Sequence, residues 1–251
     1  MKSNIEYRSD DIEEFYKAHR IHWHQLYESE RVVMEKLGLS PDLRVLDIGC
    51  GCGGLGLALR ERFGIKHYTG VEINEKAAKT AEALYPQAQI IHGDILSVSN
   101  RLSQLGQFDL VISLGCVDWN VQFEEMIRTA FALVKEGGYF LSSFRMTDQE
   151  SVTEMSKSYQ FVNFVGQRTG EIAPYVVFNV RDLIRMLKSQ MPSEIMGYGY
   201  AGKPSDSAVT PFETVYFVVL ALRKPSHAPP VDFKMRLEIP QNLLGLLNDP
   251  I

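Results

Sequence analysis

The chain has 251 residues, 45% hydrophobic and 23% charged, which fits one globular domain with embellishments and ample apolar material for a core. Its net charge of −5, without any Lys/Arg-rich run, lacks the footprint of a nucleic-acid binder, so no nucleic-acid partner is expected. The polar, acidic start and the lack of an apolar run of about eighteen residues predict no signal region, no membrane partner and a cytoplasmic location.

From Asp10 to Leu37, apolar positions Ile12, Phe15, Tyr16, His19, Trp23, Leu26, Val33, Met34 and Leu37 fall on one stripe. They predict one amphipathic helix or two short ones, an N-terminal cap over residues 1–42. His19, His22 and His24 could not share one ion on an unbroken helix, because His24 points away from the other two. Core packing is one reading of this stripe. The other makes His19 and Trp23, with Tyr16, walls of a pocket.

Residues 43–224 carry the main domain. Arg44–Ile48 is a short apolar run of the buried parallel-strand type, and it stops in Gly49, Gly51, Gly53, Gly54 and Gly56. Leu55, Leu59 and Phe63 then keep helical spacing up to Gly64, a natural stop. Strand, glycine loop and helix together let a ligand approach the backbone. Two patterns overlap there. Gly51, Gly53 and Gly56 spell a dinucleotide fingerprint, whereas Asp47, Gly49, Gly51 and Gly53 spell acidic-x-Gly-x-Gly-x-Gly. An acid directly before the glycines would repel a pyrophosphate, so Asp47 points to a ligand carrying an amino group.

His67–Ile73 reads as a second strand ending in Glu72, where a carboxylate can accept both hydroxyls of a ribose. Asn74 caps a helix through Tyr85, Ala88–Ile95 is a third strand ending in Gly93-Asp94, and Ser97–Leu105 a short helix. Phe108–Leu114 is the fourth strand, followed by Gly115–Asn120 and a helix from about 121 to 134. Glu136-Gly137-Gly138 turns into the fifth strand, Tyr139–Phe144. Residues 145–179 are too long for a simple loop and form an insertion before the helix Val180–Gln190. Glu194–Ala201 and Phe212–Arg223, joined by GKPSDSAVTP, predict an antiparallel hairpin at one sheet edge. Residues 225–251 read as a Pro-rich linker and weakly structured tail, packing on the domain or on a second copy as a homodimer. The expected fold is α/β, a Rossmann-like, doubly wound, mostly parallel seven-stranded sheet with a C-terminal antiparallel hairpin.

With LDIGCGCGG at Leu46–Gly54, HYTGVEI at His67–Ile73, AQIIHGDI at Ala88–Ile95 and LVKEGGYFLSS at Leu133–Ser143, the sequence resembles the class I S-adenosylmethionine-dependent methyltransferases. The resemblance is specific over roughly 43–144 and looser to 224. It implies S-adenosyl-L-methionine as cofactor, held by Asp47, Gly49, Cys50, Gly51, Gly53, Glu72, Ile73, Asp94, Ile95, Ser113, Leu114 and Gly115. In that family the Asp94 position receives the adenine amino group and the next apolar residue, here Ile95, packs on the ring. It also implies an enzyme that methylates an O or N atom. A non-catalytic cofactor-binding scaffold of this fold and an NAD-dependent oxidoreductase remain alternatives, with aminopropyl transfer a further one.

SLGCVDWN at the fourth strand's end departs from the Asn-Pro-Pro-Tyr signature of branches that methylate amides and nucleic acids, which favours a small polar metabolite as acceptor. Asp118 is the nearest candidate catalytic base, or else an N-cap. Trp119 is a pocket wall or packing. The insertion would act as a substrate lid, with Tyr159, Phe161, Phe164 and Tyr175 excluding water and Arg145, Arg168 and Glu171 pairing with polar groups. Arg145 would offer its planar fork to an acceptor carboxylate or phosphate. Cys50, Cys52 and Cys116 are too few for a disulfide framework. They sit there either as small residues beside a ligand or as a soft-metal set; with no His at ligand spacing, no metal is expected.

Overall fold

The computed structural model describes residues 11–163, 166–226 and 232–248, and the side chains from Glu13 onward. Phe164 and the side chain of Ile12, both invoked above, lie outside the described residues. The first half runs α1 (Asp11–Tyr16), a 3-10 turn (Trp23–Gln25), α2 (Glu28–Leu37), β1 (Arg44–Ile48), α3 (Gly54–Phe63), β2 (His67–Glu72), α4 (Glu75–Leu84), β3 (Gln89–His92), α5 (Ile95–Gln104), β4 (Phe108–Ser113), a second 3-10 turn (Val117–Trp119) and α6 (Phe123–Leu133). The second half runs β5 (Val134–Thr147), β6 (Tyr159–Phe161), β7 (Ile172–Pro174), β8 (Phe178–Asn179), α7 (Val180–Lys188), β9 (Glu194–Gly202), β10 (Ala208–Val209), β11 (Val215–Arg223), β12 (Lys234–Glu238) and α8 (Gln241–Asn248).

The main sheet follows the order β12-β9-β11-β5-β4-β1-β2-β3. β1 to β5 are mutually parallel, and β11 is antiparallel to both β5 and β9. The sheet is covered on both faces, which is why β1 is apolar at successive positions: Leu46 and Ile48 join one core cluster, Val45 the other. Local signals set the helix ends. Asn74 Oδ1 accepts the Ala77 N–H at 2.9 Å to start α4, and Gly64, with φ of 71°, closes α3. All the parallel strands therefore end on one side, where their loops converge.

The seven expected strands form, and two more join them. β8 pairs with β5, and β12 lies parallel on β9, so the β9–β11 hairpin is interior rather than at the edge. The tail is correspondingly structured: Leu243 of α8 is fully buried, and Arg181 Nε of α7 donates to Leu246 O at 2.6 Å. It packs on its own domain. Of the two readings of the leading segment, the second is observed: two short helices, α1 and α2, are separated by the Trp23–Gln25 turn, with Arg20 left-handed at φ of 63°. The insertion folds as a second sheet, β10-β6-β7, in which β10 comes from the loop between β9 and β11. Tyr175, Val177, Ala208, Phe212 and Val215 form its own small core. No described helix is long and apolar enough to cross a membrane.

Candidate active site

A cavity of about 790 Å³ opens at the C-terminal ends of β1, β2, β4 and β5 and is covered by α1, the segment to Glu30 and the second sheet. Alternation along β1 turns Asp47 to the face opposite Leu46 and Ile48, where Tyr68 donates its hydroxyl to Asp47 Oδ2 at 2.5 Å. Tyr68 is held in place by α3: a Cβ at Gly56 would lie 2.8–2.9 Å from its ring, so only glycine lets the helix approach so closely. Glu72, at the end of β2, reaches back under the loop. Its Oε2 accepts the Gly51 N–H at 2.8 Å and its Oε1 the Asn74 N–H at 2.9 Å. Asp94 is the N-cap of α5, accepting from the Leu96 N–H at 3.0 Å.

These three carboxylates thus border one cavity, which Glu13, Glu30 and Asp118 also line. Burial pushes the Asp47 carboxyl up to about 7, against the hydrogen bond from Tyr68, and the nearby charge of Glu72 adds to the rise. Burial likewise raises Glu72, while the N–H groups of Asn74 and Gly51 oppose it. A cationic ligand would relieve both. The thiols move the same way: burial pushes Cys52 and Cys116 up to about 12 and Cys50 well above its ordinary value, so none is a thiolate near neutrality. Among the described residues no group of three His, Cys, Asp or Glu side chains is arranged to hold a metal ion.

The other half of the cavity is built on an ion pair. Arg145 Nε lies 3.1 Å from Asp118 Oδ2, and its Nη1 donates to the Asp118 backbone O at 3.2 Å. The guanidinium carbon sits 4.5 Å from the ring centre of Trp119 and 3.8 Å from that of Tyr175. Both charged side chains are buried. Arg145 Nη2 and Asp118 Oδ1 have no hydrogen-bond partner among the described residues. Burial raises the Asp118 carboxyl, and Arg145 pulls it back down. Asp118 is therefore neither a free base nor an N-cap, since α6 is entered through Gln122.

Most of the expected site residues meet here. Asp47, Gly49, Cys50, Gly51, Glu72, Ile73, Asp94, Ile95, Leu114 and Gly115 line the cavity, as do His19, Asp118, Trp119, Arg145 and Tyr175. Three do not. Gly53, the left-handed N-cap of α3, faces Ala81; Ser113 is buried, donating to Ile48 O; Trp23 packs edge-on against Phe63 with ring centres 5.1 Å apart. Of the lid residues, Phe161 reaches the cavity, but Tyr159, Arg168 and Glu171 do not. Arg168 instead donates to Asp206 O and Ala208 O, tying the second sheet together.

Sequence reasoning missed Arg20, Tyr27 and Glu30, which line the cavity with a 2.7 Å Arg20–Glu30 ion pair, and Lys203, Ser205 and Ser207. The only sequence signal for the second group is a polar loop too long for a tight hairpin. The first group gave none, because a left-handed Arg20 breaks the helical period on which the stripe was read.

Residues 45–138 match the family described as "Methyltransferase domain". Among curated proteins, the yeast (Saccharomyces cerevisiae) 18S rRNA (guanine(1575)-N(7))-methyltransferase is 26% identical over 147 residues, 53% of this chain and 51% of that protein. The malonyl-[acyl-carrier protein] O-methyltransferase of Brevibacillus brevis is 31% identical over 100 residues, 37% of this chain and 34% of that enzyme. Arabidopsis thaliana phosphoethanolamine N-methyltransferase 1 is 26% identical over 117 residues, 46% and 24% of the two chains. The match thus spans about half of the yeast enzyme and a third or less of the other two. In fold, the N-terminal domain of EvdMO1 with S-adenosylhomocysteine bound superposes with a TM-score of 0.55 at 18% identity, covering 77% of this chain and 79% of that one. A Haemonchus contortus phosphoethanolamine N-methyltransferase 2 gives 0.53 at 15% identity, covering 77% and 52%. Residues 45–138 thus match a methyltransferase domain, and the chain shares the fold of these methyltransferase structures.

Proposed function

We propose that the protein transfers a methyl group from S-adenosylmethionine to an O or N atom of a small polar metabolite. The carrying observation is the cavity itself, in which an acid-lined half at the β1 and β2 ends meets a half built on Arg145 and Asp118, under one roof. The donor set fits the cofactor: Asp47 and Glu72 suit its cationic amino acid moiety and ribose, and Asp94 with Ile95 suits an adenine. The cofactor supplies an electrophilic methyl on a sulfonium. In-line transfer then needs positioning and a dry site more than acid catalysis. On this reading Trp119, Phe161 and Tyr175 exclude water and hold the acceptor.

The roof and the net charge of −5 favour a small acceptor over a polymer. The relatives' named substrates include RNA as well as small molecules and a carrier-protein conjugate, so RNA is an arm of the test. Purified protein is incubated with methyl-labelled cofactor and, separately, a metabolite extract, total RNA and a protein extract. Label in a low-mass product supports the proposal; label confined to RNA or protein overturns it.

A further inference from the structure

Resting on that reading, we propose that the acceptor presents an anionic oxygen, of a carboxylate or a phosphate, to Arg145 Nη2, and beside it an O–H or N–H to Asp118 Oδ1. These two atoms are the buried side-chain donor and acceptor in the cavity wall that lack partners among the described residues. Native structures rarely leave such atoms unmatched, because burying an unpaired polar group is costly. The guanidinium is already fixed: Nε and Nη1 are committed to Asp118, and the rings of Trp119 and Tyr175 flank it. What it still offers is the pair of N–H donors on Nη2. A fixed planar fork binds a carboxylate or phosphate oxygen with both charge and geometry.

A bare anion would also feel the negative charge of Asp118, and a neutral donor would leave Nη2 unmatched. A group carrying both an anionic oxygen and an adjacent hydroxyl or amine answers both. The second-sheet loop adds to this end of the cavity. The Ser205 backbone N–H bonds to the Tyr175 hydroxyl, and Lys203, Ser205 and Ser207 line the same cavity as Arg145. Lys203 adds a cation to the cavity wall, where Arg20 and Arg145 are each paired with a carboxylate.

The test begins with calorimetric titration of wild-type protein by S-adenosylhomocysteine; no binding there overturns the methyltransferase reading itself. Protein saturated with S-adenosylhomocysteine is then titrated with 2-hydroxycarboxylates, 2-aminocarboxylates, hydroxyalkyl and aminoalkyl phosphates, and the amides or esters of the same skeletons. The expected result is that an anionic member binds and its neutral counterpart binds about tenfold more weakly or worse, with the two anion arms telling carboxylate from phosphate. Arg145→Lys is expected to weaken that binder by about tenfold or more while the affinity for S-adenosylhomocysteine stays within about twofold. Binding of neutral members equal to the anions, binding by no anion, or an unaffected Arg145→Lys protein overturns the proposal. The wild-type comparison decides the matter even if the variant fails to fold.

Discussion

Tyr68 gives its buried hydroxyl to Asp47 at 2.5 Å, and the acid it holds is the one that opens the glycine motif. The bond fixes a carboxylate beside the cofactor half of the cavity but does not cancel the cost of burying it, so its pKa stands at about 7 against an ordinary 3.8. Because the folded state binds this proton more tightly, the contribution of Asp47 to stability is greatest below about pH 4. It falls as pH rises towards 7 and is constant beyond. Binding of a cationic ligand pulls the other way, since it favours the ionised form. Affinity for S-adenosylmethionine should therefore rise between about pH 6 and 8, with proton release visible as a buffer-dependent heat. Asp47→Asn should bind more weakly and show a flatter profile in calorimetry; an unchanged slope would mean another group sets it.

Glu72 is expected to contribute twice, by holding the Gly51 and Asn74 N–H groups and by accepting the ligand's hydroxyls. Charge-assisted hydrogen bonds are worth about 1.5–3 kcal/mol each, so Glu72→Ala should weaken S-adenosylhomocysteine binding by roughly ten- to a hundredfold or more. Glu72→Gln should fall between, as its amide nitrogen cannot accept from one of the two backbone donors. Wild-type affinity in Glu72→Ala, measured by calorimetry, would remove Glu72 from the cofactor half.

Gly56→Ala tests the approach of α3 to Tyr68. Its new Cβ would meet the ring at under 3 Å in a packed core, where overpacking costs about 1–3 kcal/mol. The ring should shift, loosening its hold on Asp47, so both the denaturation midpoint and cofactor affinity should drop. Tyr68→Phe is the control that removes the hydroxyl and spares the packing. A stability loss in Gly56→Ala with unaltered cofactor affinity would show that the tyrosine positions nothing.

The cofactor half was legible because its residues sit at strand ends within short motifs, where strand periodicity and the glycine run fix the backbone. Asp47, Glu72 and Asp94 all fell in one cavity for that reason. The acceptor half depends on contacts between elements far apart in the chain. Asp118 and Arg145 were each named, but their union, separated by a helix and a strand, carries no local pattern. Each was consequently read as available to a ligand when half of its hydrogen-bonding capacity is spent on the other. Trp23, open to a packing or a pocket-wall role from its stripe alone, takes the packing role, because the turn between the two leading helices sends it to Phe63.

The tail was the largest misreading, and it is also the easiest to test. KMRLE is short, charged and preceded by prolines, so it lacks the alternating apolar signature of a strand. It forms one because β9 otherwise presents open backbone groups, and β12 covers them through the register Lys234↔Glu194 to Glu238↔Tyr198. α8 then anchors the strand with Leu243 fully buried, next to Ile239. Truncating so buried a leucine costs about 2–5 kcal/mol in a well-packed core, the lower end applying where the surroundings can collapse. Leu243→Ala should therefore lower the thermal midpoint. Deletion of residues 232–248 should go further, exposing β9 and producing concentration-dependent oligomers by size-exclusion chromatography. Since neither change touches the cavity, cofactor affinity of the folded fraction should stay within about twofold of wild type. A deletion protein that melted like wild type and remained monomeric would mean that β12 and α8 only rest on the sheet and do not complete it.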